Sequence, residues 1–490
     1  MNGTEQLADP KRWRALVVCL LGGFVTMLFL SMVSVSLPSI QSSLDASPAA
    51  IQVVVAGYTL AFALCVVPAG RLGDVRGRRT LFVIGMTGFG VVTALAGMSN
   101  SATMLACLRV LQGGFAGLVN PQTMGIIQQV FRGPERGKAF GFIGGVIGVA
   151  TALGPLCGGA AIAIWGQSDG WRWAFWVVLP LVALTAILAC FWLPAKTEQS
   201  ASQRLDPVGL LLIGVGTVAI MTPFVLAEAA GATPWWLIGV GAVFLVFFGL
   251  WEMRYQRKYQ AAVLDPELLH NVGFRFGVGV GMAYFAGFTS VFLVVTMMLQ
   301  EGLGYSALMA GLVGACFAVG SGIAAPIAGR LVARHGRAIV VAALTVMVVG
   351  LIIVDCVMRW APTHLYGVWI GLALFLAGLG SGATISPNQT LTLMSVPPRI
   401  GGVAGGALQI GQQLGSAVGL SVVLAGYFVA LPSSGPRGGA AHTLLFSVGL
   451  VILALVIAFI DWRRRSGDES GPIQGKSREE GAGPGGTVVP

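Results

Sequence analysis

The densest group of side chains able to form ion pairs lies in residues 70–79, at the end of an apolar stretch. Here Asp74 stands among arginines, and glycines on both sides of it permit a tight turn and a close approach of helices. An ion pair at such a turn can hold one conformation and break in another, so we predict a conformational latch. The alternative is a solvated basic turn that only orients the chain. The predicted latch residues are Gly70, Arg71, Leu72, Gly73, Asp74, Gly77, Arg78 and Arg79.

A second polar group lies inside the helix predicted at 103–125. Arg109, Gln112, Gly113 and Asn120 share one helical face. Arg109 lies about 9 Å below the helix end at ~1.5 Å of rise per residue. A cation at this depth costs at least ~2.5 kcal/mol unless protein or water surrounds it. We expect the stripe to face a central cavity; alternatively, Arg109 hydrogen-bonds carbonyl groups of neighbouring helices.

Glycine and proline are concentrated in the next predicted helix, 138–164. Glycines four residues apart allow helices to pack closely, and a proline removes a backbone donor and kinks a helix. Such a helix could act as a hinge between two parts of the molecule; the alternative is ordinary membrane packing. The residues concerned are Gly154, Pro155, Gly158 and Gly159.

Uncharged amide side chains form a further group toward the C-terminus. Facing a cavity, they would bind a small molecule and water; between helices, they would act as hydrogen-bonded glue. These candidates for a substrate cavity are Asn388, Gln389, Gln409, Gln412 and Gln413.

The composition decides which elements position these residues. Hydrophobic residues make up 56% of the 490 and charged residues 10%, against about a quarter charged in a soluble domain. So few charges cannot cover a water-exposed surface, and a span needs about 20 apolar residues. We therefore predict an all-α integral membrane protein with fourteen transmembrane helices.

The basic residues support this topology. Of the 29 lysines and arginines, 25 fall in segments that fourteen spans place on one side, together with both termini. Basic residues prefer the cytoplasmic side, so both termini are expected there. The same bias explains the net charge of +10 without a nucleic-acid partner.

A repeat divides the chain. Residues 70–78 and 329–337 are identical at five of nine positions, each in a turn after the second helix of a six-helix set. Paired helical halves that rock about a central site are the design of many secondary transporters. The predicted organisation is an N-terminal tail at 1–14, a six-helix half at 15–193, two extra helices with their loops at 194–272, a second half at 273–462 and a disordered tail at 463–490.

These motifs resemble the major facilitator superfamily, in particular its fourteen-helix drug:proton antiporter branch. The turn 70–79 resembles that branch's signature, with Val75 where a basic residue is usual. The resemblance implies alternating access between two six-helix halves and a role for Arg109 in proton coupling. It also implies that the glycine motif at 154–159 is an antiporter signature.

Three positions depart from the family pattern. Phe29 stands where the first span usually carries a carboxylate, while Ser34 and Val178 replace usual asparagines, and no Asp or Glu lies near the middle of any span. A proton antiporter needs a titratable group, and a desolvated carboxylate suits that task. Arg109 is always protonated and cannot replace it alone. An uncoupled facilitator therefore stays open as an alternative.

The expected function is export of amphipathic drugs, toxins or metabolites, with a narrow-substrate exporter or a non-transporting sensor or scaffold as alternatives. A membrane enzyme is disfavoured because the four histidines are scattered, and no ATP-binding loop is present. The expected partners are a lipophilic or weakly cationic small molecule, a proton and the lipid bilayer, with no cofactor, metal or nucleic acid. We expect a monomer in the inner membrane of a bacterium.

Overall fold

The computed structural model describes residues 12–195, 206–226, 234–259, 268, 270–305, 307–360, 365–397 and 400–469. All regular secondary structure in these residues is helical. The first helices are α1 Arg12–Ser43, α2 Pro48–Arg76, α3 Arg78–Gly97, α4 Ala102–Val130, α5 Gly133–Trp176 and α6 Leu179–Trp192. They are followed by α7 Pro207–Leu226, α8 Trp236–Tyr259, α9 Val272–Met297, α10 Ala307–His335, α11 Arg337–Trp360, α12 Tyr366–Met394 and α13 Gly401–Glu469. A π-helical turn, Met298–Gly302, extends α9.

Local chemistry explains several of the helix starts. The hydroxyl of Ser47 accepts a hydrogen bond from the Ala50 amide, and Pro48 occupies the first helical position of α2. Ser101 caps α4 in the same way, and the Asn271 side chain caps α9. These side chains satisfy amide groups that have no partner within the first turn of a helix.

Thirteen segments of the described chain are long and apolar enough to cross a membrane. The predicted count of fourteen is not confirmed. The first part of α13, which begins at Gly401, is helical but is not among the thirteen. Helices α5 and α13 are each broken at one glycine with positive φ, Gly166 (φ 85°) and Gly435 (φ 65°). Helix α13 also continues past Trp462 to Glu469, into the segment predicted as a tail; 470–490 lie outside the described residues.

The two copies of the repeated turn have the same backbone form. Gly77 (φ 108°) lies between α2 and α3, and Gly336 (φ 53°) lies between α10 and α11. The amide of each donates to the carbonyl four residues earlier, on Gly73 and Val332 respectively. A positive φ favours glycine, which explains why glycine stands at this position in both copies.

The first half, α1–α6, and the second, α9–α13, meet chiefly along two pairs of helices, with smaller contacts of α5 on α12 and of α4 on α13. In the α5/α10 seam α5 packs on α10, and in the α2/α13 seam α2 packs on α13. Helix α7 packs on both α2 and α13, and α8 packs on α7. The Ser421 hydroxyl of α13 donates to the Phe224 carbonyl of α7 at 2.5 Å. The inserted hairpin therefore covers the α2/α13 seam.

Candidate functional site

The Asp74 carboxylate joins the two halves. Its Oδ1 accepts hydrogen bonds from Nη2 and Nε of Arg78 at 2.8 and 3.0 Å. Its Oδ2 accepts the backbone N–H of Val403 at 3.3 Å, in the first turn of α13. The amides at a helix N-terminus favour an anion. Asp74 thus bridges α2 and α13, and we call this end of the bundle the Asp74 end.

Close packing on α4 holds the Asp74–Arg78 pair in place. A Cβ on Gly73 would overlap the side chain of Gln122, whose amide donates to the Ala69 carbonyl at 2.8 Å. Arg78 crosses Gly125, to whose carbonyl it donates a hydrogen bond. Glycine at both positions leaves the room that these polar side chains occupy.

The other predicted latch residues lie around this pair. Gly70 and Arg71 are buried, and Leu72 and Arg79 are half-buried. Gly77 ends α2 with its amide bonded to Gly73. The structure therefore brings the predicted latch together, and it adds Gln122, Gly125 and Val403, which the sequence did not indicate.

Arg109 lies in a closed cage formed by α2, α3 and α4. Its Nε donates to the Val54 carbonyl at 3.2 Å, and its Nη1 donates to Oε1 of Gln112 at 2.6 Å. Gln112 in turn donates to the Thr93 hydroxyl at 2.6 Å. The guanidinium lies 4.3 Å from the centre of the Tyr58 ring, a distance at which the ring face attracts a cation.

Phe29 completes the cage from α1. The centre of its ring lies 5.7 Å from the Arg109 guanidinium. The ring packs edge-to-face on Phe89 and Phe175, with centroid distances of 5.6 and 4.9 Å. An aromatic face therefore occupies the position at which a carboxylate was expected from the resemblance.

The expected orientation of the Arg109 stripe needs correction. The side chains of Arg109 and Gln112 are 1% and 0% exposed, so they lie inside the first half and do not face an open cavity. Their partners correspond to the alternative of hydrogen bonds to neighbouring helices. Asn120 is half-buried, and its amide donates weakly to the Ala116 carbonyl at 3.4 Å.

The glycine motif of α5 packs mainly on α1. A Cβ on Gly154 or on Gly158 would lie 3.0 Å from the backbone of Met32. Gly159 has no atom within 4 Å of such a Cβ. The non-helical backbone angles of α5 fall at Gly166, beyond Pro155 where a kink was expected. Gly154 and Gly158 therefore act in close packing within the first half.

Earlier glycines of α5 form the α5/α10 seam. A Cβ on Gly137 would overlap the Gly329 carbonyl, and one on Gly141 would lie 3.0 Å from the Ala325 carbonyl. Gly145 would meet the Gly322 carbonyl at 3.4 Å. The backbones of the two halves thus come close together along this seam, with the side chains of Val332 and Pro326 beside them.

We expect Gly113→Ala to lower the free energy of unfolding by about 1–3 kcal/mol, the usual cost of overpacking. The added methyl would overlap the backbone carbonyl of Tyr58, which cannot move without displacing α2. Thermal unfolding of the purified protein in detergent measures the change. Gly159→Ala is the matched control, because it has open space and should leave the melting temperature unchanged or raise it. Equal losses in both variants would contradict the expectation.

Asn388 belongs to a buried ionic cluster in the second half. Nη1 of Arg337 donates to its Oδ1 at 2.5 Å, and its Nδ2 donates to the Gly277 carbonyl at 2.9 Å. Nε of Arg337 bonds Oδ2 of Asp461 at 2.5 Å, and Arg465 reaches the other oxygen at 3.3 Å. The cluster links α9, α11, α12 and the last part of α13.

The prediction of a substrate cavity lined by amides is only partly compatible with this arrangement. Asn388, Gln389 and Gln412 are each 3% exposed. Asn388 is tied to its own half by the bonds to Arg337 and Gly277. Gln409 and Gln413 are half-buried, and they remain the amides of this group with accessible surface.

Sequence reasoning missed Arg337 and Asp461. In the repeat, Arg337 occupies the position of Arg78, but Ala333 occupies that of Asp74. The second copy of the repeat keeps the arginine but lacks the aspartate that pairs with it in the first copy. The counter-ion of Arg337 must therefore come from another part of the fold. Asp461, in the last helix, supplies it.

The sequence profile of the Major Facilitator Superfamily matches residues 19–255 and 276–484. This chain belongs to the major facilitator superfamily. It is a multi-pass membrane transporter and not an enzyme.

Among related members of the superfamily are two Streptomyces proteins. The puromycin resistance protein of Streptomyces alboniger is 34% identical, over 94% of this chain and 94% of its own length. The probable actinorhodin transporter of Streptomyces coelicolor is 32% identical, over 86% of this chain and 74% of its own length. The crystal structure of a human organic anion transporter shares the fold, with a TM-score of 0.68, 16% identity, and coverage of 92% of this chain and 100% of that one.

Proposed function

We propose that this major facilitator protein exports lipophilic drugs, toxins or metabolites across the plasma membrane by alternating access. One observation carries the proposal: Asp74 ties α2 to α13 of the opposite half through the Val403 amide. Glycines bring the backbones of the two halves close together in the α5/α10 seam, which suits two bodies that separate and close again. The names of the two Streptomyces relatives support export of small molecules.

The proposal includes orientation and assembly. Both termini and the Asp74 end face the cytoplasm, as the distribution of basic residues favours. The protein works as a monomer, because the two six-helix halves that pack on each other belong to the same chain. The proposal invokes no cofactor.

Proton antiport is the proposed source of energy, on the strength of the resemblance to the drug:proton antiporter branch. An uncoupled facilitator is the second candidate, because Phe29 and not a carboxylate faces Arg109. Substrate-induced proton release from proteoliposomes separates the two: release supports antiport, and its absence with a transported substrate favours the facilitator.

We expect cells that express the protein to accumulate less of several lipophilic dyes and antibiotics, in a bacterium stripped of its own efflux pumps. Arg109→Ala should restore accumulation to the level of cells without the protein. The substitution removes the hydrogen bonds and ring contacts that join α4 to α1 and α2. The exposed Arg334 provides the control Arg334→Ala, which should export like the wild type. Unchanged accumulation of every compound, with the protein present in the membrane, would contradict multidrug export.

A further inference from the structure

The buried arginines of this protein differ in their counter-ions. Arg78 lies 2.8 Å from the carboxylate of Asp74, and Arg337 lies 2.5 Å from that of Asp461. Within the described residues, no Asp or Glu forms an ion pair with Arg109. Its partners are a carbonyl, an amide oxygen and two aromatic rings, all of them neutral.

Neutral partners hold a cation without cancelling its charge. Hydrogen bonds and ring faces stabilise the guanidinium of Arg109 locally. Its field nevertheless extends through a low-dielectric interior in which salt does not screen it. The interior of the first half therefore carries an uncompensated positive charge at the depth of Arg109, and arginine keeps that charge at any physiological pH.

The positive charge of Arg109 acts on any molecule that passes between the two halves. A cation at about 10 Å is repelled and an anion attracted, each by an energy that corresponds to about a tenfold change in occupancy at an effective dielectric constant of about 20. A neutral lipophilic molecule is not affected. The composition of the chain had left weakly cationic compounds among the expected substrates; the surroundings of Arg109 disfavour them.

We propose that the transported molecules are neutral or anionic lipophilic compounds, and that Phe29 sets this preference by keeping a counter-ion away from Arg109. The inference rests on the proposed export function and names its substrate class. Phe29 is fully buried between Phe89 and Phe175. A carboxylate at this position would lie close enough to Arg109 to pair with it.

The first test uses two xanthene dyes of similar size and opposite charge, fluorescein and rhodamine 123. Purified protein is placed in proteoliposomes with no membrane potential imposed, so that charge acts only through the protein. We expect the wild type to transport fluorescein at least about tenfold faster than rhodamine 123. A panel of neutral, anionic and cationic antibiotics, quantified by mass spectrometry, extends the comparison beyond one scaffold.

Two substitutions neutralise Arg109 in different ways. Phe29→Asp introduces a carboxylate from α1. Gln112→Glu puts one in contact with Nη1 of Arg109 with almost no change of shape. Either variant should reduce or reverse the preference for anions. Phe29→Leu, which stays apolar, is the matched control and should keep the preference.

The outcomes separate the two proposals. Transport of cationic compounds as fast as anionic ones by the wild type overturns the inference and leaves the export function intact. An unchanged preference in a folded Gln112→Glu protein also overturns it. If no compound in the panel is transported, the export function fails, and the inference fails with it.

Discussion

Asp74→Asn is expected to open the Asp74 end of the protein and to reduce export at least about tenfold. Removing one partner of a buried ion pair costs about 3–5 kcal/mol because the other charge is left without compensation. Arg78 belongs to the same half as Asp74, so the loss of that pair affects both conformations. The bond from the Val403 amide exists only when the halves are closed, and a hydrogen bond to a charged group contributes about 1.5–3 kcal/mol. A change of this size shifts a two-state equilibrium by about tenfold or more.

Spin labels at the exposed positions Lys138 and Arg334, in opposite halves, would report this opening as a longer inter-label distance. Asp461→Asn is the matched control. It removes a buried acid from an equivalent arginine, but every partner of that acid lies in the same half. It should lower thermal stability without lengthening the distance. Equal lengthening in both variants would contradict a special role of Asp74 between the halves.

A disulfide across the α5/α10 seam is expected to stop transport until it is reduced. A Cβ on Gly144 would lie 3.3 Å from the Cβ of Ala325, close to the separation of about 3.5–4.5 Å found in disulfides. The link joins the two halves, so alternation between the two open states would be blocked. In a background without the seven native cysteines, Gly144→Cys with Ala325→Cys should lose transport at least about tenfold under oxidation.

Dithiothreitol should restore transport in the double variant, and each single cysteine variant should be unaffected by oxidant. Mass spectrometry of the cross-linked peptide establishes that the bond has formed. Full activity of a protein with the bond formed would show that this seam does not open during the cycle, and would exclude rocking of the two halves about α5 and α10.

The sequence predicted the membrane fold and the latch turn because both depend on local signals. Apolar run length and basic-residue bias identify spans one at a time, and the glycines of the repeat identify turns that need positive φ at Gly77 and Gly336. The partner of Asp74 could not be predicted in this way. Val403 is more than three hundred residues away, and only the packing of α2 on α13 brings its amide to the carboxylate.

The buried partners of Arg109 and Asn388 could not be predicted, for one common reason. Helical spacing shows which residues share a face, but it does not show whether that face meets a cavity or another helix. For Arg109 the face meets Val54 and Tyr58 of α2. For Asn388 it meets Arg337, which is 51 positions earlier in the chain. Where helices pack against one another, a polar residue on a helix face can form a buried hydrogen bond to its neighbour as readily as it can line a path for solutes.

The inserted hairpin makes the two flanks of the transporter mechanically unequal. On one flank α7 rests on both α2 and α13, so movement of the halves there slides protein against protein. On the other, the exposed side chains of Val149, Ile323 and Ile327 border the α5/α10 seam, and opening it displaces acyl chains. We expect bilayer thickness and lateral pressure to act on the turnover rate chiefly through this bare flank, so that the lipid environment becomes a regulator with a defined point of action.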